Sequence, residues 1–245
     1  MPNIKAVVEY DGTDFCGFQR QPSKPTVQGE LERALAKLFK LETYKIVAAG
    51  RTDAGVHATG QVVSFPIPET FPADRIRPAV NGLLPISIRV RRTEVVSEEF
   101  HARYSAKSRT YVYVVLNRDE PTALLTRYTW HLRQPLDLDV MKAAGAALIG
   151  RQDFASFGVP ERTGGSTVRR IMNLEIRRRK DAIFLLVRAD AFLRGMVRAI
   201  AGTLAEVGAG KRSPEEMALI LSACDRQASG VSAPPRGLYL TRVEY

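Results

Sequence analysis

The sequence predicts an α+β fold in two parts, each an antiparallel β-sheet with helices packed on one face, and three observations support this. Strand-like and helix-like segments alternate along all 245 residues, with no long linkers, short-period repeats or low-complexity tracts. The two halves carry the same mixture of several strands with a pair of helices. A chain of this length can bury either one large core or two of roughly 120 residues each. The break falls near Ser105, giving an N-terminal domain 1–104 and a C-terminal domain 105–245. The pattern allows domain duplication but does not demonstrate it. The basic, strand-rich face of each sheet away from the helices would be free to meet a partner.

Taken in order, NIKAVVEYDG reads as a first strand running into a turn. TVQGELERALAKLFK places Leu31, Ala34, Leu35, Leu38 and Phe39 at helical spacing behind Thr26 as a cap. YKIVAAG and GQVVSFP read as strands, FPADRIRPAVNGLLP as a short helix between prolines, and ISIRVRRTEVV as a further strand. In the second half RTYVYVVLN alternates, so Tyr111, Tyr113 and Val115 share one face. LDLDVMKAAGAALIG is helical. RRIMNLEIRRRKDAIFLLVRAD is a hairpin turning at Arg179 to Asp181. FLRGMVRAIAGTLAEVG is a helix with Leu193, Met196, Val197, Ile200, Leu204 and Val207 on one face. Ser213, Pro214 and Glu216 signal another helix start, and GLYLTRVEY closes the chain as a strand.

Charge is the informative part of the composition. Lys and Arg total 36 against 26 Asp and Glu, a net charge of +10, which favours a polyanionic partner and nucleic acid before membrane. Arginine greatly outnumbers lysine, which suits bidentate phosphate recognition. A solvated, arginine-rich surface is the plainer reading of the same numbers. No stretch approaches the roughly 18 apolar residues of a membrane helix. MPNIKAVVEY has no signal-peptide pattern, and Cys16 and Cys224 lie far apart, so a cytoplasmic protein is expected.

Several familiar sites are excluded. GAGKRS at 208–213 ends like a phosphate-binding loop, but Arg212 stands where Ser or Thr is required and Ala205 where the first Gly belongs. His57, His101 and His131 never fall at metal-ligand spacing, and neither a CxxC nor a His-x-Glu deaminase motif occurs. RRRK at 177–180 reads as a solvated turn.

GRTDAGVHATGQ, residues 50–61, remains. Asp and Gly are ordinary turn residues, so a structural Asx turn is one reading of Asp53. The other is a carboxylate presented to substrate. Gly50 and Gly55 would permit unusual backbone and close approach, and in an extended segment Arg51 and Asp53 point the same way. A neighbouring guanidinium would keep the carboxylate ionised for nucleophilic or base chemistry. Tyr111 or Tyr113, if exposed, could stack on an extruded base. Arg194 and Arg198, four apart on a helix, are solvated or hold a phosphate or carboxylate.

GRTDAGVHATGQVVSF resembles the signature of the tRNA pseudouridine synthase I family. Further matches follow in order along nearly the whole chain: VEYDGTDFCGFQRQP, VQGELERAL, FHARYSAKSRTYVYVV, DFASF, FLRGMVRAIAG and GLYL. Phe18 departs from the pattern, where Trp is common. The resemblance implies two related α+β domains around a central catalytic cleft. It implies a homodimer that grips the anticodon stem-loop and elbow of tRNA, and isomerisation of uridine to pseudouridine at positions 38, 39 and 40 without cofactor or metal. By the same match Asp53 is the catalytic aspartate, Tyr111 contacts the target uracil, Arg198 pairs with the aspartate, and Arg51 supports it.

Overall fold

The computed structural model describes all 245 residues. They form two compact units, Met1–Lys107 together with Leu240–Tyr245, and Ser108–Tyr239. The expected break at 104/105 lies beside the first crossing, but the last strand differs: its final residues return to the first unit instead of staying with 105–245.

In the first unit, β1 (Asn3–Tyr10) is the middle strand, antiparallel to β3 (His57–Pro66) on one side and β4 (Ile88–Val96) on the other. β2 (Val47–Ala48) pairs with Val63 and Ser64 of β3, so only two residues of YKIVAAG are strand. Alternation along β1 buries Ile4, Ala6, Val8 and Tyr10 on one face. Onto this face pack α1 (Val27–Phe39), through Val27, Leu31, Ala34 and Leu35, and α2 (Ile76–Asn81), through Ile76 and Val80. The Thr26 hydroxyl caps α1 by accepting from the Gly29 amide, as its sequence position predicts. The other face is not free as expected. Ala49, Val62 and Ala102 form a small second core there, packed against by Val7, Val47, Phe100, Val243 and Tyr245. Apolar residues on both faces of β3 require cover on both sides, and the chain supplies it from residues 97–104 and its C-terminus.

In the second unit, β5 (Ser108–Asn117) is followed by β6 (Trp130–Leu132), α3 (Leu138–Ala146), β7 (Gly150–Asp153), β8 (Val168–Arg179) and β9 (Ala182–Ala189). β5, β9, β8 and β7 are antiparallel neighbours in that order. β6 alone runs parallel, pairing Trp130 with Val115. Parallel neighbours cannot be joined by a tight turn, and residues 118–129 provide the longer return. Tyr111, Tyr113 and Val115 share a buried face with Val187, Leu185 and Ile183 of β9, as the alternation predicts. α3 and α4 (Met196–Gly208) cover this face, and α5 (Glu216–Ala223) and β10 (Leu238–Glu244) complete the chain.

Two helix starts differ from their sequence signals. α4 begins at Met196 because Gly195 has φ +78, outside the helical region. Arg194 lies before it, exchanging backbone hydrogen bonds with Val159 (3.0 and 3.3 Å), so Arg194 and Arg198 are not four apart on one helix. α5 begins at Glu216, although the reciprocal half of the expected cap is present: the Ser213 amide donates to Glu216 (2.8 Å).

Candidate active site

The Asp53 loop is built from three segments of the first unit. Thr52, between the two candidate residues, points inward and is 7% exposed. Arg51 is exposed and Asp53 half-buried, as the alternation of an extended segment predicts. The turn closes at Ala54–Gly55, where the Val56 amide donates to the Asp53 carbonyl (3.2 Å). Gly55 needs its residue type, with φ +75. Gly50 does not as expected: a Cβ there would meet no protein atom.

Buried polar groups grip both arms of this loop. The Tyr10 hydroxyl and Thr52 Oγ1 lie 2.8 Å apart, and Gln61 Nε2 donates to the Gly50 carbonyl (3.0 Å). Gln61 is fully buried and Tyr10 nearly so. Burial pushes the Tyr10 phenol well above its usual range, against the opposing effect of its bonds to Thr52 and Gln61, so it stays a neutral hydroxyl. On the far arm, buried His57 accepts from the Gly12 amide at Nδ1 (3.1 Å), 3.2 Å from Asp11 Oδ1.

The segment after β1 lies directly against the loop. A Cβ on Gly12 would sit 2.0 Å from the Val56 carbonyl oxygen, and one on Gly17, which has φ +97, 2.9 Å from that of Thr52. The Phe18 amide donates to the same Thr52 carbonyl (3.0 Å). DGTDFCGF and GRTDAG therefore form one object, and the glycines of the first are small because the backbone of the second occupies the space.

A Tyr10→Phe substitution tests the grip. It leaves the buried Thr52 hydroxyl without this partner, a cost of about 1–3 kcal/mol. The expected result is a lowering of Tm by roughly 2–10 °C with reduced turnover, read by thermal unfolding and an activity assay. Unchanged Tm and turnover would show that the bond does not hold the loop.

Tyr111 and Arg198 belong to the second unit. Tyr113 is the core strut of its strand: it is fully buried, its hydroxyl donates to the Pro234 carbonyl (2.7 Å), and burial pushes its phenol far up. Tyr111 is 8% exposed and meets Phe192 edge-on, with ring centroids 5.0 Å apart. It can therefore offer a rim or hydroxyl to a substrate rather than a whole ring face. Arg198 is half-buried in the first turn of α4, with Nε donating to the Ala233 carbonyl (2.8 Å). A cation at a helix N-terminus opposes the helix dipole by roughly 0.3–1 kcal/mol. The position adds positive potential to positive potential and suits an anionic partner.

Tyr10, Thr52, Gln61 and the 229–234 segment that holds Arg198 were not singled out from sequence. For Thr52 a signal existed, since alternation across Arg-Thr-Asp turns the middle residue inward. For the others none did, because each acts through a contact that only the folded chain forms.

The model of the family described as tRNA pseudouridine synthase matches residues 6–105 and 144–245. The chain is 46% identical over 243 residues to the tRNA pseudouridine synthase A of Bacillus pumilus, covering 99% of this chain and 98% of that protein. It is 45% identical over 238 residues to that of Halalkalibacterium halodurans, covering 97% and 90%. With the Brevibacillus brevis protein of the same name it shares 42% identity over 245 residues, the whole of both chains. The loop around Asp53 and most of both units lie within the matched residues. The chain thus belongs to the tRNA pseudouridine synthase family and is an isomerase acting on uridine in tRNA.

Proposed function

We propose that this enzyme converts uridine to pseudouridine at positions 38, 39 and 40 of the tRNA anticodon stem-loop, with Asp53 as its catalytic aspartate. The observation that carries the reading is the construction of the Asp53 loop. Buried Tyr10, Gln61 and His57 and the close-packed Gly12 and Gly17 hold its backbone, while Asp53 itself stays partly exposed. An Asx turn kept only for structure would not need contacts from residues 42 and 45 positions away, Tyr10 on Thr52 and Gly12 on His57.

The reaction breaks the ribose C1′–N1 bond, turns the uracil and joins C1′ to C5. N1 gains a proton and C5 loses one, so atoms balance without redox chemistry or group transfer to a third molecule, and no cofactor is required. A stacked, paired uridine cannot turn, so it must first leave the helix at a cost of a few kcal/mol. Phosphate contacts by arginine offset that cost. Asp53 acts either as nucleophile at C1′ or as base on the sugar, and both routes need it ionised. Arg198 is the proposed counter-charge for that carboxylate in the substrate complex, Tyr111 the contact to the uracil, and Arg51 the support beside the flipped nucleotide. The enzyme would work as a cytoplasmic homodimer on the anticodon stem-loop and elbow, reading A-form shape rather than base edges.

The test is tritium release from uracil C5 of unmodified tRNA, followed by mapping of pseudouridine along the product. Release with product at 38–40 supports the reading. Product elsewhere on the tRNA would overturn the site assignment, and no release would overturn the activity.

A further inference from the structure

An aromatic pair in the first unit, half-buried His101 and exposed Tyr104, has no part in the chemistry above. Residues 97–104 cross the sheet face opposite the helices and are tied down firmly. Phe100 packs against Tyr245 with ring centroids 4.8 Å apart and planes tilted by 53°. Ala102 is fully buried, its amide donating to Ser64 Oγ (3.1 Å) and its carbonyl accepting from the Tyr245 hydroxyl (2.9 Å). Asn3 Nδ2 donates to the Phe100 carbonyl (2.9 Å).

From this base the chain makes a single turn, closed by the Ser105 amide on the His101 carbonyl (2.9 Å). His101 Nδ1 accepts from the amides of Arg103 and Tyr104 (3.3 and 3.2 Å). The same imidazole stacks against the Tyr104 ring, with centroids 4.3 Å apart and planes 24° from parallel. Tyr104 nevertheless stays 73% exposed, and the Arg103 guanidinium carbon lies 5.8 Å from its ring centroid.

We propose that the His101–Tyr104 stack is a platform for an unpaired base of the tRNA substrate. A single exposed aromatic residue is ordinary, but this one is stacked on the His101 imidazole and follows two residues after the buried Ala102 anchor. The ordering entropy of the ring is therefore already lost before binding. Its sequence neighbours Arg103, Ser105 and Lys107 are polar or cationic, which disfavours an apolar protein interface and favours a nucleotide, with a π-face for the ring and a phosphate for the cations. The proposal rests on tRNA being the substrate and is independent of which uridine is modified.

The experiment compares Tyr104→Ala, Tyr104→Phe and Tyr104→Trp with wild type in the full-length enzyme on unmodified tRNA. Tyr104→Ala is expected to raise Kd and KM by roughly 5- to 100-fold. It should leave kcat, Tm and the slope of log Kd against log salt unchanged, because stacking releases no counterions. Tyr104→Phe and Tyr104→Trp should bind like wild type, and the new indole should be quenched by tRNA beyond the background of Trp130. The proposal is overturned if Tyr104→Ala binds tRNA as wild type does, if Tyr104→Phe is as weak as Tyr104→Ala, or if the indole is not quenched. Tritium release by wild type, measured alongside, reports on the activity itself, so the two readings fail separately.

Discussion

Asp53→Asn is expected to lower turnover on unmodified tRNA by roughly 10⁴-fold or more, the scale seen when a nucleophile or its base is removed, while tRNA affinity stays unchanged. The substitution keeps the size and shape of the side chain and removes only its charge. The loop should keep its form, since the hydrogen bonds at the Asp53 carbonyl, the Thr52 hydroxyl and the Gly50 carbonyl are unaffected by the change. Affinity comes mainly from phosphate contacts, to which a single half-buried carboxylate adds nothing favourable. Single-turnover tritium release and filter binding, run side by side, separate the two effects. An Asp53→Asn enzyme that turned over at the wild-type rate would remove Asp53 from the chemistry. A non-catalytic RNA-binding protein on this scaffold would bind tRNA equally well with either residue and release no tritium with either.

Gly202→Ala carries the second large effect, and here two physical effects oppose each other. In a helix interior Ala is favoured over Gly by about 1 kcal/mol, so α4 taken alone predicts stabilisation. A Cβ at Gly202, however, would lie 1.7 Å from the Val231 carbonyl oxygen, and backbone cannot rotate out of the way. The 229–234 segment would have to lift from α4. It is held there by the Gly230 amide on Thr203 Oγ1 (2.9 Å), the Val231 amide on Glu206 (3.3 Å) and the Ala233 amide on the Arg198 carbonyl (3.0 Å). At about 0.5–1.5 kcal/mol per bond, the loss of two or three outweighs the propensity gain. The expected outcome is a fall in Tm of roughly 2–10 °C. Turnover should fall as well, because the Ala233 carbonyl also accepts from Arg198 Nε. Thermal unfolding and an activity assay below the transition decide the matter. A rise in Tm would mean that the segment yields easily and that helix propensity dominates.

Most elements were legible in the sequence because their signals are local. Thr26 caps α1 by a contact three residues away, and the alternation of Tyr111, Tyr113 and Val115 follows from the pleat alone. The GRTDAGVH motif located the candidate site for a similar reason, being a contiguous run whose glycines and carboxylate are read without knowing what surrounds them. Where local signals competed, the structure chose. The apolar positions from Leu193 to Val207 are buried as their periodicity predicts, yet Gly195 delays the helix and leaves Arg194 on an extended segment. The short β6 and β7 had no alternation long enough to show.

The sequence by itself determined the class of fold, the basic character, the identity of the candidate loop and, through its motifs, the family. Only the tertiary structure decided that Tyr10, Gln61 and His57 grip that loop, that Gly12 and Gly17 yield space to it, that the last strand ends in the first unit, and that Tyr104 stands out on an anchored base. The physical reason is sequence separation. Helical and strand periodicities are set within a few residues, whereas Tyr10 and Thr52 are 42 positions apart, and Ala102 and Tyr245 are 143 apart. Contacts of that range leave no periodic trace in either segment, since each partner needs only the right chemistry at one position and the fold supplies the proximity.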